Sequence, residues 1–436
     1  MHPIPGLTRR KFLSGAAAAG AACAFPAILP QSVFGAGGRP APSGRVTLGF
    51  IGMGSQGVGM NLASFLRLPD AQILAVCDVD DARCRAAQQR VNRQFGNNDC
   101  AAVRDFREVL ARDDLDAICI STPDHWHVPM SIMALRAGKD VICEKPTLTL
   151  ADGRMLADTV RRHGAVFQTA TEDRSVPVYH RMAELVRNGR IGKLHTIRVG
   201  LPGGAGHSFP LERQRPEPVP AGLDYELWLG PAPWAPYCEA RCHFNFRWIY
   251  DYSGGFLTDW GAHLIDTAQW ANDTEHTGPV SVEGKGVFPT EGIYNTATTF
   301  HLEYAYANGV RMIVDSGGVL LRFEGTEGWV GNQGWRGSLE ASSPAILESR
   351  IGAEETHLFT CPAGEQRNFL DCVKTRTDPY FPAEIGHRCS SVMHIGNLSM
   401  QLGRKLRWDP VREEFPDDAE ANRRRSRSSR EPWTFV

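Results

Sequence analysis

Three closely spaced glycines follow the first apolar run of the chain. Residues 45–51 lead into Gly52-Met53-Gly54-Ser55-Gln56-Gly57, which has the spacing G-x-G-x-x-G. The first glycine permits a tight turn, the second lets the backbone approach a phosphate, and the third lets the next helix pack closely on the strand. The N-terminus of that helix then faces the phosphates. The pattern therefore indicates a pyrophosphate-binding turn.

An acidic residue ends the next predicted strand. Asp78 follows the strand 72–77 and stands about 20 residues past the last glycine of the turn. A carboxylate at this place accepts hydrogen bonds from the hydroxyls of an adenosine ribose and repels a 2′-phosphate. Strand, glycines, helix, strand and acid together predict a dinucleotide site that prefers NAD to NADP.

Two further polar clusters stand where predicted strands end. The strand 116–121 runs into Thr122-Pro123-Asp124-His125-Trp126-His127, and the strand 140–143 runs into Glu144-Lys145-Pro146. Open α/β sheets bind their ligands at this carboxyl edge. Ser121, Thr122, Pro123, His127, Glu144 and Lys145 are therefore predicted to line the dinucleotide site with the glycine turn and Asp78. His125 and His127 could instead be packed or solvated residues at a helix start.

An aspartate and a histidine four residues apart follow a glycine pair in the second half. Asp259 and His263 project from one face if their segment is helical. A carboxylate beside an imidazole suits proton removal from a hydroxyl, because the acid orients the ring and stabilises its charged form. The alternative is an amphipathic helix with a satisfied core histidine.

An aromatic series precedes that pair. It comprises Trp228, Trp234, Tyr237, Phe244, Phe246, Trp248, Tyr250 and Tyr252. Aromatic faces suit the C–H face of a sugar ring, although most aromatic residues pack in cores. Arg247, Trp248, Tyr250 and Tyr252 are predicted to contact substrate because they directly precede the turn at Gly254. Arg174, after the strand 166–171, is a second predicted anchor, with an ordinary surface arginine as the alternative.

The elements that position these residues alternate in type along the first half. Strands at 45–51, 72–77, 116–121 and 140–143 alternate with helices at 60–68, 105–111 and 129–137, which predicts a doubly wound parallel sheet. Strand-like segments at 281–288, 296–306 and 310–316 predict antiparallel hairpins. Helices at 365–373 and 391–402 are expected to close the fold, with 384–388 between them. His387 in that connection is expected to have a structural role.

Length and charge restrict the class of protein. A chain of 436 residues exceeds one hydrophobic core, so two domains are expected. The formal charge of -2 gives no overall field that would recruit nucleic acid or an anionic membrane. The basic tail 423–430 is expected to be a solvated terminal segment.

The N-terminus resembles a twin-arginine export signal. Thr8-Arg9-Arg10-Lys11-Phe12-Leu13 precedes a weakly apolar Ala/Gly-rich run, and small residues follow near 33–36. Residues 1–36 are therefore predicted to be a signal peptide that exports the folded protein to the periplasm, with its cofactor loaded beforehand. The alternative is a chance arginine pair before an alanine-rich helix, and the run is too short for a membrane span.

The cysteines and histidines predict no metal centre. Asp259 with His263, or Cys238, Cys242 and His243, form only partial ligand sets without the usual four-ligand spacing. Cys238 and Cys242 could pair in an oxidising compartment, but two unpaired thiols are the expectation.

The stretch from Gly49 through Pro146 resembles the glucose-fructose oxidoreductase, inositol dehydrogenase and MocA family. The resemblance rests on G-x-G-x-x-G, Asp78, Ser-Thr-Pro-Asp-His and Glu-Lys-Pro. It implies an α/β fold with an NAD(P)-binding Rossmann domain at 45–165 and an α/β domain with a mostly antiparallel open sheet at 166–410, followed by the tail 411–436. It also implies that Lys145 acts in substrate binding and proton transfer, with Asp259 and His263 beside it.

The resemblance further implies the reaction. A sugar, polyol or cyclitol hydroxyl would lose its proton to Lys145 or His263 while hydride passes to the nicotinamide. Export predicts that NAD stays tightly bound, because free NAD is scarce outside the cytoplasm. One alternative is an NAD-dependent glycosidase that oxidises, eliminates, hydrates and reduces again; another is a non-catalytic binding module. A homo-oligomer is expected by resemblance.

Overall fold

The computed structural model describes residues 39–204 and 209–433. Residues 39–45 belong to a short unit with one turn of 3-10 helix, Pro42–Gly44. A second compact unit begins at Val46 and contains the elements described below. The predicted signal peptide, residues 1–36, lies outside the described residues and stays a prediction.

Six parallel strands form one sheet in the described chain. They are β1 Val46–Ile51, β2 Ala71–Cys77, β3 Ala101–Val103, β4 Ala117–Ile120, β5 Asp140–Glu144 and β6 Phe167–Ala170. Their order is β3-β2-β1-β4-β5-β6, and dinucleotides bind such sheets where the strand order reverses. The central strands are almost wholly buried because helices cover both faces. This confirms the predicted Rossmann fold.

Three helices of this half begin next to a residue whose side chain caps them. A π-helical turn, Gly57–Leu62, precedes α1 Ala63–Phe65, α2 Asp81–Phe95, α3 Phe106–Leu110, α4 Asp124–Arg136 and α5 Leu150–His163. The side chains of Asp80, Asp105 and Thr149 accept hydrogen bonds from first-turn N–H groups of α2, α3 and α5.

Eight strands of the described chain form a second, mostly antiparallel sheet. They are β7 Leu194–Leu201, β8 Ser281–Val287, β9 Thr299–Ala305, β10 Arg311–Ser316, β11 Leu320–Gly325, β12 Gly328–Gln333, β13 Glu340–Ala341 and β14 Leu406–Arg407. The order is β13-β12-β11-β7-β10-β9-β8-β14, with only the β7–β10 pair parallel among these strands. Phe300, Leu302 and Tyr304 of β9 face the core, while His301 and Glu303 face outward. The predicted second sheet is thereby confirmed.

Helices cover the inner face of this sheet. The α-helices are α6 Pro177–Arg187, α7 Tyr225–Leu229, α8 Phe256–Asp259, α9 Gly261–Ala271, α10 Pro344–Glu348, α11 Glu365–Thr375, α12 Ala383–Leu402 and α13 Ala419–Arg423. Shorter 3-10 turns are Glu172–Ser175, Leu211–Gln214, Glu239–Arg241 and His243–Trp248. α12 packs on β8, and α9 packs on β7.

Several helix limits differ from the sequence prediction. The helix predicted at 60–68 is a π-helical turn followed by the short α1. α4 begins at Asp124 rather than at residue 129, because residues 124–127 form a first turn whose N–H groups need no partner within the helix. α12 begins directly after Pro382, so residues 384–388 are helical rather than a connection. Glu384 and Arg388 form an ion pair along it, 2.9 Å apart.

Candidate active site

The glycine turn after β1 is packed against the edge of β4. Gly52 has a φ of +91°, and a Cβ there would lie 2.5 Å from the carbonyl oxygen of Ser121. A Cβ at Gly57 would lie 2.0 Å from the carbonyl oxygen of Gly52. At Gly54 the nearest atom is Arg83 Nη1 at 3.4 Å, so this glycine leaves the cavity open. The turn is therefore a cradle of the shape that a dinucleotide pyrophosphate requires.

Asp78 lies directly beside this turn. Its Oδ2 accepts a hydrogen bond from the Met53 N–H at 2.6 Å, and its Oδ1 accepts one from the Asp80 N–H at 2.8 Å. Burial raises the pKa of Asp78, although the two N–H groups favour its charged form. The carboxyl group lines the same cavity as Gly52 and Gly54, as the sequence predicts for a ribose ligand.

Lys145 lies directly after β5 and contacts the last residue of α8. Its Nζ donates to the carbonyl oxygen of Asp259 at 2.7 Å and to Asp259 Oδ1 at 3.0 Å. Burial alone would lower the pKa of Lys145, but the carboxylates of Asp259 and Glu144 outweigh it and hold that pKa above its ordinary value. Lys145 is therefore an ammonium group at neutral pH.

Asp259 is shared between two cations. Arg247 Nε lies 3.3 Å from Asp259 Oδ2, on the other side from Lys145. Burial would raise the pKa of Asp259, but the two cations lower it well below its ordinary value. The spacing of Asp259 and His263 predicted that this acid orients the ring, and this pairing is wrong. Asp259 ends α8 while His263 lies in α9, and Asp259 pairs with Lys145 and Arg247 instead.

Asp173 is the acid that faces His263. Its Oδ2 lies 3.1 Å from His263 Nδ1, and Thr171 Oγ1 lies 3.3 Å from the same nitrogen. Burial would raise the pKa of Asp173, but His263 and Arg336 lower it, so this carboxyl group is ionised. With Nδ1 directed at Asp173, Nε2 is left for the cavity. Sequence analysis missed Asp173 because the pair is 90 residues apart in sequence, with no local pattern joining them.

A buried amide network holds Glu144 in the cavity wall. Glu144 Oε1 accepts from Gln56 Nε2 at 3.0 Å and from Asn61 Nδ2 at 2.8 Å. Asn61 Oδ1 in turn accepts from Gln366 Nε2, which also donates to Glu365. Burial and the nearby Glu172 and Glu144 raise the pKa of Glu365 well above its ordinary value. The network joins the glycine turn to α11.

One cavity brings most of the predicted residues together. Its wall contains these predicted residues: Gly52, Gly54, Ser55, Gln56, Asp78, Ser121, Thr122, Pro123, His127, Glu144, Lys145, Arg247, Asp259 and His263. Met53 and Gly57 belong to the turn without lining the cavity. His127 is buried, and its two ring nitrogens lie 2.8 Å from the carbonyl oxygens of Pro146 and Thr122. It therefore holds the loop after β5 as well as lining the cavity.

The structure places Arg174 away from the cavity, which corrects its prediction as a substrate anchor. The residue is 3% exposed, and its guanidinium donates to both carboxylate oxygens of Asp266 at 2.8 and 2.7 Å. Glu275 lies 2.7 Å away, and the rings of Trp270 and Phe381 flank the cation. A charge that is so fully paired in the interior has a structural role.

Trp248, Tyr250 and Tyr252 are likewise outside the cavity wall, against the prediction. Tyr252 is fully buried beside Trp228, and its hydroxyl accepts from Arg241 at 3.2 Å. Trp248 packs on Phe256, and Tyr250 lies under the guanidinium of Arg427. Of the 3-10 turn His243–Trp248, four residues line the cavity: His243, Phe244, Phe246 and Arg247.

The structure adds wall residues that sequence analysis did not assign to the site. They are chiefly Asp124, Trp126, Glu172, Trp260 and Trp335. Asp124 and Trp126 belong to the polar segment 122–127 that follows β4, so their position in the sequence could have predicted their place in the site. Trp335 lies in a turn after β12 and carries no such signal, since only the packing of the second sheet brings it to the cavity.

The thiols and metal-ligand types form no further centre in the described residues. Cys238 and Cys242 are both free. Among residues 39–204 and 209–433, no group of three or more His, Cys, Asp or Glu side chains is arranged to hold a metal ion. No helix in those ranges combines the length and apolar character needed to cross a bilayer.

A glycine cradle, a ribose-facing acid and a Lys–Asp–His cluster in one cavity define a dinucleotide-binding α/β oxidoreductase. The model of the oxidoreductase family's NAD-binding Rossmann fold matches residues 46–171, and that of its C-terminal alpha/beta domain matches residues 178–435. The chain belongs to the glucose-fructose oxidoreductase, inositol dehydrogenase and MocA oxidoreductase family.

Curated relatives match parts of the chain. An uncharacterised oxidoreductase of Rhizobium meliloti is 31% identical over 156 residues, which are 35% of this chain and 44% of that protein. The uncharacterised oxidoreductase YrbE of Bacillus subtilis is 23% identical over 62% of this chain and 67% of its own. A glycosyl hydrolase family 109 protein of Shewanella is 34% identical over 27% of this chain and 26% of its own. The chain thus spans less than half of the first and third of these relatives.

Solved structures share the fold. The WlbA dehydrogenase of Bordetella pertussis, in complex with NADH and UDP-GlcNAcA, has a TM-score of 0.63 at 15% identity, covering 84% of this chain and 99% of that one. The aldose-aldose oxidoreductase of Caulobacter crescentus, complexed with glycerol, has a TM-score of 0.60 at 16% identity, covering 83% and 99%.

Proposed function

We propose that the protein is a nicotinamide-dependent oxidoreductase that moves hydride between NAD(H) and a hydroxyl-bearing carbon of a sugar, polyol or cyclitol. The observation that carries the proposal is the placement of Lys145, Asp259 and His263 in the wall of the cavity that the glycine turn opens. A bound nicotinamide supplies the hydride acceptor or donor. The chain's residues supply binding, orientation and proton transfer.

The geometry favours different tasks for Lys145 and His263. Lys145 is an ammonium paired with Asp259, so it donates a hydrogen bond to the substrate oxygen and does not accept its proton at neutral pH. His263 directs Nδ1 at Asp173 and can accept the hydroxyl proton at Nε2. Asp173 then stabilises the charged ring. Arg247 keeps Asp259 in place for Lys145.

The acid at the end of β2 supports NAD rather than NADP. Asp78 lines the cavity beside the glycine turn and would repel a 2′-phosphate. Arg104 also lines this end, but its guanidinium donates to Asp81 at 3.0 Å and pairs with it at 2.5 Å. Arg83 lies 3.6 Å from Asp80. Both arginines are therefore balanced by aspartates.

Retention of the cofactor is supported by a segment of the second half that covers the end of β2. The Asp81 N–H donates to the Gly222 carbonyl at 3.0 Å, and the Asp224 N–H donates to the Val79 carbonyl at 2.9 Å. Leu227 and Trp228, which follow, line the cavity. A nucleotide held beneath this segment exchanges slowly, which fits export of a loaded protein to the periplasm by the twin-arginine route. The proposal also includes domain limits near residues 165 and 410 and assembly into a homo-oligomer.

The test begins with the purified protein. Heat denaturation after exhaustive dialysis is expected to release NAD rather than NADP, identified by chromatography. Lys145→Ala is expected to lower kcat for sugar or cyclitol oxidation about 10²-fold or more, with the nucleotide still present. Unchanged turnover in this variant would indicate a binding module instead, and nucleotide lost on dialysis would contradict retention.

The glycosidase alternative has its own support, the similarity to glycosyl hydrolase family 109 proteins at 34% identity over 125 residues. Such an enzyme would oxidise a sugar carbon, eliminate the aglycone, add water and reduce again, with no net change in NAD. Incubation with aryl glycosides distinguishes the two reactions. Release of the aryl group without accumulation of NADH or ketone would favour the glycosidase.

A further inference from the structure

Two indole rings stand at the His263 end of the cavity. Neither takes part directly in the proposed proton transfer, although a hydrogen bond from the Trp335 indole helps to lower the pKa of Asp173. Trp260 and Trp335 both line the cavity, with ring centres 5.5 Å apart, and the ring centre of Trp335 lies 5.6 Å from that of His263. Trp335 is 40% exposed. A large apolar side chain left partly open inside a site, rather than packed, indicates a surface that receives a ligand.

The turn that carries Trp335 is held in a defined conformation. Arg336 has a φ of +60°, a conformation that non-glycine residues keep only when their surroundings enforce it. Its N–H donates to the hydroxyl of Tyr179 at 2.9 Å. Asn332 Nδ2 donates to the carbonyl oxygen of Gly334 at 3.1 Å. The position of the indole is therefore built into the fold.

The same turn is joined to the catalytic histidine. Arg336 Nη2 lies 2.6 Å from Glu172 Oε1 and 3.4 Å from Asp173 Oδ1, and the other oxygen of Asp173 faces His263. The Arg336 guanidinium lies over the Trp335 ring, 4.1 Å from its centre. The guanidinium thus covers part of the indole, and the residue is still 40% exposed.

The charges at this end of the cavity do not favour an anionic ligand. Among the described wall residues here, the cations Lys145 and Arg247 both face the Asp259 carboxylate. Glu144 adds a further carboxyl group to the wall, and Glu172, also in the wall, is paired with Arg336, so each cation at this end is already matched by an acid. A substrate carboxylate or phosphate would meet these acids without a surplus cation to receive it.

We propose that Trp335, together with Trp260, forms a carbohydrate-stacking subsite, and that the substrate is an uncharged pyranoside rather than a sugar acid or sugar phosphate. The proposal rests on the function proposed above. The apolar C–H face of the ring stacks on the indole, while a ring hydroxyl meets Lys145 and His263. The turn thereby selects the substrate. Asp173 contacts both Arg336 of this turn and His263, and so fixes their relative positions.

The test compares two substitutions on a matched panel of methyl hexopyranosides and methyl hexuronides, with single-turnover formation of NADH from the protein's own bound NAD as readout. KM and kcat below denote the half-saturating concentration and the maximal rate of that one reduction. Trp335→Ala is expected to raise KM for the best pyranoside about 10-fold with kcat changed less than about threefold. Trp335→Phe keeps a stacking face and is expected to stay within about threefold of the wild-type KM. Trp234→Ala removes an indole that is 66% exposed outside the cavity wall and serves as control.

The second part of the test compares uncharged with anionic substrates and uses the wild-type protein. The methyl hexuronide with the stereochemistry of the best pyranoside is expected to have a kcat/KM at least about 10²-fold lower. A preferred hexuronide, or an unchanged KM in Trp335→Ala, overturns the subsite and leaves the proposed oxidoreductase standing. Absence of cofactor reduction across the panel overturns the subsite; reduction by a polyol or cyclitol in the same assay leaves the proposed oxidoreductase standing, and its absence with these as well overturns both. Should Trp335→Ala fold poorly, the KM of Trp335→Phe and quenching of wild-type tryptophan fluorescence by the pyranoside decide the question.

Discussion

Asp173 sets the direction of the His263 imidazole. Its carboxylate is wholly buried and lies between that ring and Arg336. A buried anion on one ring nitrogen selects the tautomer that carries the proton there and stabilises the doubly protonated ring that forms in catalysis. Asp173 is therefore a positioning residue that acts through His263.

Replacement of this acid by its amide tests the assignment. Asp173→Asn retains the size of the side chain but removes the anion, so the charged imidazole is no longer stabilised. We expect kcat to fall about 10²- to 10⁴-fold with KM within a few-fold of wild type. Steady-state kinetics on the best sugar substrate measures the change. A kcat equal to that of wild type would exclude the role.

Asp124 is a wall acid of the cavity with a strongly raised pKa. Burial raises its pKa from 3.8 to about 7, against the opposing effects of Ser253, whose hydroxyl donates to Oδ2 at 2.5 Å, and Arg247. Because the folded pKa lies above the unfolded one, this group contributes stability that is fully present below about pH 4 and is lost as pH rises through about 7.

The Asp124→Asn variant should remove this dependence. Near pH 4 its free energy of unfolding is expected to be close to that of wild type, and by pH 8 it should exceed wild type by up to about 4 kcal/mol. Denaturant unfolding at a series of pH values measures the difference. Asp251→Asn, at an exposed position, is the control and should show no such trend. A difference independent of pH would contradict the raised pKa.

The basic tail 423–430, expected to be solvated, is exposed at Arg423, Arg424, Ser426, Ser428 and Ser429, but other residues of the segment Arg425–Trp433 are anchored on the fold. The carbonyl of Arg425 accepts from the Ala151 N–H, and Arg430 Nε donates to the Gly230 carbonyl at 3.0 Å. Trp433 packs on Trp126 with ring centres 4.8 Å apart. Since Trp126 lines the cavity, the segment supports the cavity wall from behind. Local charge indicates solvation only where no partner surface is present.

Removal of the terminal indole tests this support. Trp433→Ala is expected to lower the free energy of unfolding by about 1–3 kcal/mol, because a half-buried aromatic loses its contacts with Trp126 and Phe106. Bound nucleotide should also exchange faster. Denaturant unfolding and nucleotide release measure the two effects. Trp234→Ala, whose ring is 66% exposed, should change stability by less than about 0.5 kcal/mol. Equal effects of the two substitutions would contradict the support.

At the scale of the whole molecule, the two halves are not separate stretches of the chain, because a helix from late in the sequence packs against the first sheet. Phe369 of α11 packs on Phe65 with ring centres 6.4 Å apart, in the same buried cluster as β1. Arg367 of α11 donates to both oxygens of Asp70, at 2.7 and 2.9 Å. Helix α11, which comes late in the chain, thus covers part of the first sheet. The cavity wall is also drawn from both halves, so the site exists only when both are folded together.

Sequence patterns that span only a few residues were sufficient to predict much of the fold. Apolar runs with glycine punctuation predicted the parallel strands and the dinucleotide turn, because burial and backbone geometry act over a few residues. The limits of α4 and α12 were less accurate, since proline positions admit a helix start on either side. The motif acids and Lys145 were found because they follow strand ends directly.

The sequence by itself determined the dinucleotide fold, the glycine cradle and Asp78, and the family resemblance implied that Lys145, Asp259 and His263 share one site. Only the tertiary structure decided which acid serves which base, that Arg174 is an interior ion pair and that Trp335 stands at the site. The physical reason is the separation in sequence between the residues that interact. A turn or strand end is encoded by neighbours in the chain, whereas ion pairs between elements form wherever packing of the two sheets brings charges together.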